Sequence, residues 1–262
     1  MEHERRTRSV GELLDGALDL VRKNPVLLIG LAALARVPVA FMVPDAGAAG
    51  VSADPIGALR GAVGVLLYAT VVSPILWIAL IAALGELTSG RAARFGAALR
   101  SGVALLVPVA WASTLVVGLV LLACAPLLAA VLLREQLSGL ARALAISLGI
   151  LLPMLVALRF LLLGQVVVIE RATGIGALRR SAELVRGSLR RCFGILLIGG
   201  ILTAALGMGV QYAIGGVPVA GPLLEGLAES VGWAYTTALG VVLYLDQRAR
   251  RGEPPPAALS AA

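Results

Sequence analysis

The chain has 262 residues, 59% of them hydrophobic and only 14% charged, with a formal net charge of +7. Soluble domains average roughly a quarter charged residues, and a soluble fold of this length could not bury about 155 apolar side chains without exposing aggregating patches. Composition therefore excludes a soluble enzyme, a disordered chain and a secreted disulfide scaffold. It leaves an integral membrane protein, with apolar residues enough for six or seven crossings of about 20 residues each.

In chain order, residues 1–24 read as a cytoplasmic tail running into an amphipathic interfacial helix. Ser9-Val10-Gly11-Glu12 has the Ser-x-x-Glu spacing of a capping box. Val10, Leu13, Leu14, Ala17, Leu18 and Val21 then recur at helical spacing, with Asp15, Asp19 and Arg22 on the other side. Residues 25–250 read as a membrane domain with six apolar runs: Pro25–Val43, Gly61–Gly85, Val103–Leu133, Leu144–Ile169, Phe193–Ile214 and Leu227–Leu245. The first run is too long for a signal-peptide core, and the leader carries Glu2, Glu4, Glu12, Asp15 and Asp19. A retained span is therefore expected, despite the cleavage-like Ala46-Gly47-Ala48. The third run is long enough to tilt or to break near Pro126. Ser73-Pro74 and Pro153 mark the second and fourth. Residues 251–262 read as a flexible cytoplasmic tail.

The basic residues set the orientation. Seventeen of the 22 fall in the N-terminal segment, the loops after spans two and four, and the C-terminus. The alternate loops hold Arg60, Arg134 and Arg142 alone. The positive-inside rule then predicts a multi-pass protein of the cytoplasmic (inner) membrane with both termini cytoplasmic and an even number of crossings.

Two later stretches resemble the N-terminal leader. Phe95, Ala98 and Leu99 share a face within Ala92–Arg100, and Leu178, Ala182, Val185 and Leu189 recur among arginines. Each is expected to lie with its apolar face in the lipid boundary and its arginines toward anionic headgroups. The even spans end in Glu86, Glu170 and Asp246, each followed by arginine and expected to pair with one nearby. The expected fold is all-α: a polytopic membrane protein whose six transmembrane helices form three parallel repeats of interfacial helix plus helical hairpin.

The leader RSVGELLDGALDLVRKNP, the middle LRFLLLGQVVVIERATGIGALRRSAELVRGSLRRCFGILL and the ending VVLYLDQRARR resemble bacterial six-span proteins related to the membrane domain of glycerophosphoryl diester phosphodiesterases. In the enzymes that name that family, hydrolysis belongs to an appended soluble domain with metal-binding carboxylates and a catalytic His. The resemblance implies architecture and membrane location, and it does not carry the activity over.

Chemistry-bearing residues are few. The single His is His3 in the tail, Cys124 and Cys192 lie on separate runs, and no P-loop, HExxH or GxSxG pattern occurs. Neither cofactor nor metal is expected, and no catalysis. Arg36 and Arg159 each lie 11 residues from the cytoplasmic end of their spans, about 16 Å deep at 1.5 Å per residue. Facing one cavity, they would suit an anionic group such as a lipid phosphate. Alternatively, Arg36 snorkels past Pro38 to the outer interface and Arg159 bonds helix carbonyls. Glu225 and Glu229 read as acids favoured by a helix N-terminus, or as a cation or proton site. Trp77, Trp111, Trp233 and Tyr235 read as interfacial anchors or packing residues, and the glycines of span five as close-packing positions. The expected role is assembly, scaffolding or membrane homeostasis, the alternative a transporter or lipid-handling protein acting through Arg36 and Arg159. Expected partners are membrane lipids with anionic headgroups at the cytoplasmic face and other membrane proteins or a second copy, with no nucleic acid.

Overall fold

The computed structural model describes residues 9–42, 62–133, 135–214, 217, 220–254 and 256. Its elements are α1 (Val10–Lys23), α2 (Pro25–Met42), α3 (Ala62–Thr88), α4 (Phe95–Ala104), α5 (Leu106–Ala123), α6 (Ala125–Leu132), α7 (Gly139–Arg159), α8 (Leu163–Glu170), α9 (Gly174–Val185), α10 (Leu189–Ile214) and α11 (Ala220–Arg250). No strand occurs among the described residues. The protein is all-α. The helices divide into two units, Met1–Leu106 with Gly194–Ala262, and Val107–Phe193.

In the first unit the predicted capping box forms. The Ser9 N–H donates to Glu12 Oε2 at 2.6 Å, and the Glu12 N–H donates to Ser9 Oγ at 3.2 Å. Asn24 precedes Pro25 and is held off the helical region at φ −134°, so α1 ends there and α2 leaves at 93°. The apolar face of α1 is divided, where the sequence reading put all of it in lipid. Leu13, Ala17 and Val21 are buried, with Gly16 close to Val242 of α11, while Val10 and Leu18 stay exposed. An amphipathic helix covers whatever apolar surface lies nearest, and here part of that surface is protein.

The core of this unit gathers Leu28, Leu31 and Ala35 of α2, the run Ile78–Ile81 of α3, and Leu239–Tyr244 of α11. Glycines allow its closest crossings. A Cβ on Gly226 would stand 2.8 Å from Val37 Cα, and one on Gly102 of α4 would stand 2.4 Å from the Ile75 carbonyl oxygen. Substitution at either forces helices apart.

Two prolines reshape the backbone of α2 and α3. Pro74 has no N–H, and its ring crowds the carbonyl of Thr70, so the chain widens into a π-helical turn over Tyr68–Val72. Pro38 lies inside α2 and cannot donate to the Leu34 carbonyl four residues earlier. The Tyr68 hydroxyl, carried on the π turn, donates to that same carbonyl. One proline's defect thus positions the donor that satisfies the other's.

In the second unit the chain breaks at Cys124, and Pro126 occupies the first turn of α6. This realises the predicted break near Pro126. A Cβ on Gly149 of α7 would stand 2.4 Å from Leu127 Cβ, so α6 and α7 touch along their backbones there. Pro153 stays inside α7, which ends six residues later at Arg159. Arg171 closes α8 in the left-handed region at φ 57°. The stripe Leu178–Ala182–Val185–Leu189, read from sequence as one helix, is split. Gly187 at φ 85° turns the chain between α9 and α10.

Four helical segments are long and apolar enough to cross a membrane: Ala62–Thr88, Leu106–Ala123, Gly139–Glu170 and Leu189–Ala213. A fifth is reached if α1 and α2 are counted as one bent span. Their outward residues are largely aliphatic, as lipid contact requires, which points to a membrane protein. At the C-terminus the first part of the predicted flexible tail is folded back on α11. Arg248 Nη2 donates to the Pro254 carbonyl at 2.8 Å and approaches Glu253 at 3.6 Å, and Pro256 is buried. Residues 1–8, with His3, and the cleavage-like Ala46-Gly47-Ala48 lie outside the described residues.

The proline pairing sets an expectation for a double-mutant cycle. Tyr68→Phe should cost about 1 kcal/mol, because the Leu34 carbonyl loses its donor. In a Pro38→Ala background the restored N–H reaches that carbonyl, and the cost should fall close to zero. Thermal unfolding in detergent measures both, and an equal loss in the two backgrounds would contradict the pairing.

Candidate functional site

Arg36 and Glu229, 193 residues apart in sequence, meet within the first unit. Arg36 donates from Nε at 3.0 Å and from Nη2 at 2.6 Å to the same oxygen, Glu229 Oε2. About a third of each side chain is exposed. The crossing at Gly226 and Val37 explains the meeting. It holds α2 and α11 in backbone contact one residue from Arg36 and three from Glu229. The Arg36 side chain therefore turns across to α11 and does not take the snorkelling course past Pro38, one of the two alternatives the sequence offered beside a shared anionic site with Arg159.

Neither acid sits in the first turn of its helix, because α11 begins at Ala220. The helix dipole acts mainly within that turn, so the dipole reading of Glu225 and Glu229 does not fit the observed helix start. Glu225, Glu229 and Trp233 instead recur every four residues and form one stripe on α11. Thr203, Gly207 and Gln211 form a matching stripe on α10. Between the stripes lies a cleft of about 290 Å³, which Arg36 borders from α2 and Ala204 and Met208 complete.

Its closed end is set by small residues. A Cβ on Gly199 would stand 2.6 Å from Leu239, and one on Gly232 would stand 2.1 Å from Thr203. The Thr203 hydroxyl approaches the carbonyls of Gly199 at 3.0 Å and Gly232 at 3.3 Å. A Cβ on Gly207, one turn further along α10, would meet nothing within 4 Å. The helices touch at the level of Thr203 and leave space beyond it.

Three charged residues line the cleft, two acids and one guanidinium, for a formal charge of −1. Among the described residues the Glu225 carboxylate has no hydrogen-bond or ion-pair partner, and Glu229 Oε1 has none either. Arg36 is already committed to Glu229. The arrangement offers carboxylate oxygens, an amide and an indole to a guest.

The other predicted positions fall elsewhere. Arg159 belongs to the second unit, exposed at the C-terminus of α7, and no ion pair or side-chain hydrogen bond engages it among the described residues. Of the three acids ending the even spans, Glu170 pairs with Arg180 at 3.0 Å and Asp246 with Arg250 at 2.8 Å. Glu86 takes part through its backbone carbonyl, which accepts from the Arg91 N–H at 3.0 Å. Both free cysteines belong to the second unit, and no group of three His, Cys, Asp or Glu able to hold a metal occurs among the described residues. Gln211, Thr203 and Trp233 were not singled out as site residues by sequence reasoning. The signal for them is spacing: Thr203 and Gln211 stand two helical turns apart in a largely apolar run, and Trp233 follows Glu229 by four residues.

Removing one partner of the ion pair should expose its cost. Glu229→Leu should destabilise the protein by about 1–3 kcal/mol, since it strands the Arg36 guanidinium in an apolar setting. The double variant Arg36→Leu/Glu229→Leu should recover most of that loss, as read by thermal unfolding in detergent.

Residues 9–246 match the family model described as a domain of unknown function, DUF7847. No curated protein and no solved structure matches the chain. The match spans most of the 262 residues, and the chain belongs to the DUF7847 family.

Proposed function

We propose that the protein is a multi-pass protein of the cytoplasmic membrane that handles a lipid or small solute in the cleft between α2, α10 and α11, without catalysis of its own. The observation that carries this reading is an ion pair about one-third exposed and a carboxylate with no partner among the described residues, beside open space on helices that are otherwise largely apolar. Charged groups inside a membrane are costly, and they persist mainly where they face protein, water or a guest.

The depth of the site supports the reading. Arg36 lies about 16 Å along α2 from its start, and Glu229 lies about 20 Å along α11 from Val242, which touches α1. With α1 in the interfacial plane, as its 93° bend from α2 suggests, the cleft sits near the bilayer midplane. Transporters commonly place their sites there. The six-span, threefold-repeat topology with both termini cytoplasmic belongs to this proposal. It requires α2 and α11 to cross as well, and α11 is the more polar because it is the more enclosed. The resemblance to the membrane domain of glycerophosphoryl diester phosphodiesterases is part of the same reading and concerns architecture only. The role in assembly or scaffolding has one observation in its favour. The aliphatic faces of α5, α6 and α7 are broadly exposed and offer surface to other membrane proteins as well as to lipid.

Reporter fusions test the topology. Those after Thr88 and Gly174 should report cytoplasm, and those after Asp54 and Gln136 periplasm; the reverse at Thr88 or Gly174 would break it. Native mass spectrometry of the purified chain tests the handling of a ligand. A bound lipid or small molecule should appear with the wild type and be lost from Gly207→Leu, which fills the cleft. Identical bound species in the two proteins would sink the reading.

A further inference from the structure

We infer that the group the cleft receives is an organic ammonium, held by Glu225 and the free oxygen of Glu229 against the face of Trp233. This rests on the reading that the cleft handles a ligand, and it specifies which chemistry. An anion would meet a guanidinium whose charge is already balanced, because Nε and Nη2 of Arg36 both donate to Glu229 Oε2. It would also meet Glu225 without compensation. A cation meets the opposite balance, because the lining carries one uncompensated negative charge.

The wall chemistry separates an organic cation from a metal ion. A hard metal ion of the Ca²⁺ or Mg²⁺ kind takes six or more oxygens at short range. Here the oxygens come from two carboxylates of α11 and from Gln211 and Thr203 of α10, and the rest of the lining is an indole, a thioether, small residues and the Arg36 guanidinium, which repels a metal ion. Ammonium groups bind such settings through carboxylate contact and cation–π attraction to the indole, the latter strongest where water is excluded. The four-residue spacing of Glu225, Glu229 and Trp233 spreads acceptor and aromatic surface over about 12 Å of α11, enough for a head group and not only a point charge. Either a zwitterionic phospholipid or a free amine solute would bring this group.

Emission from Trp233 reads the site directly, in the full chain carrying Trp77→Phe and Trp111→Phe. The protein in phosphatidylglycerol nanodiscs is titrated with choline chloride, with sodium chloride as the ionic-strength control and sodium phosphate as the anion. Choline should give a saturable change that sodium chloride does not, and Glu225→Gln should weaken it about tenfold, with Glu225→Asp recovering part of the loss. Glu225 makes no internal bond among the described residues, so an unchanged unfolding temperature accompanies the expected result. Phosphatidylcholine nanodiscs separate the sources. If the lipid head group is the guest, added choline has no further effect there; if a free solute is, choline still titrates.

Saturation by phosphate without choline would overturn the ammonium assignment while leaving ligand handling intact. Choline binding indifferent to Glu225 would overturn it too. No saturable response to choline or phosphate, together with identical bound species in wild type and Gly207→Leu, would overturn both the assignment and the reading beneath it.

Discussion

The contact between Gly226 and Val37 is the constraint on which the cleft between α2, α10 and α11 depends. Close packing holds this helix pair together, and a missing side chain permits the approach. With α2 and α11 touching there, Arg36 has a carboxylate within reach and need not seek the interface. The ion pair then fixes the direction of both side chains. Glu225, one turn before Glu229 on the same stripe, is left facing open space. A single Cβ at Gly226 would undo this sequence of consequences by separating the helices.

Polar satisfaction without water governs the rest of the first unit. Each backbone group freed in an apolar setting needs an internal partner. The Leu34 carbonyl, orphaned by Pro38, finds the Tyr68 hydroxyl because Pro74 has widened α3 into a π turn. At the closest crossing of α10 and α11 the Thr203 hydroxyl is itself the group satisfied, within reach of the carbonyls of Gly199 and Gly232.

Much of the architecture was legible in the residues. The capping box at Ser9 and Glu12, the break by Pro126 and the all-helical fold follow from local rules that act within a few positions. The errors have local causes as well. The stripe through Leu178 and Leu189 kept helical spacing across Gly187, and periodicity does not register a turn whose length preserves phase. The start of α11 was placed too late because Ala220–Leu224 is apolar and carries no capping signal, and that error produced the dipole reading of the acids. Arg36 and Arg159 looked equivalent by depth, yet depth says nothing of which neighbour a side chain meets.

The sequence by itself determined that this chain is helical and membrane-like, because composition and period are properties of the residues alone. It also singled out Arg36, Glu225 and Glu229, because charge in an apolar run is visible without a fold. Only the tertiary structure decided that Arg36 belongs to Glu229, that Glu225 beside it has no partner among the described residues, and that Thr203, Gln211 and Trp233 share their cleft. Those facts depend on residues up to 193 positions apart and on helix crossings set by glycines, whose effect comes from what they lack.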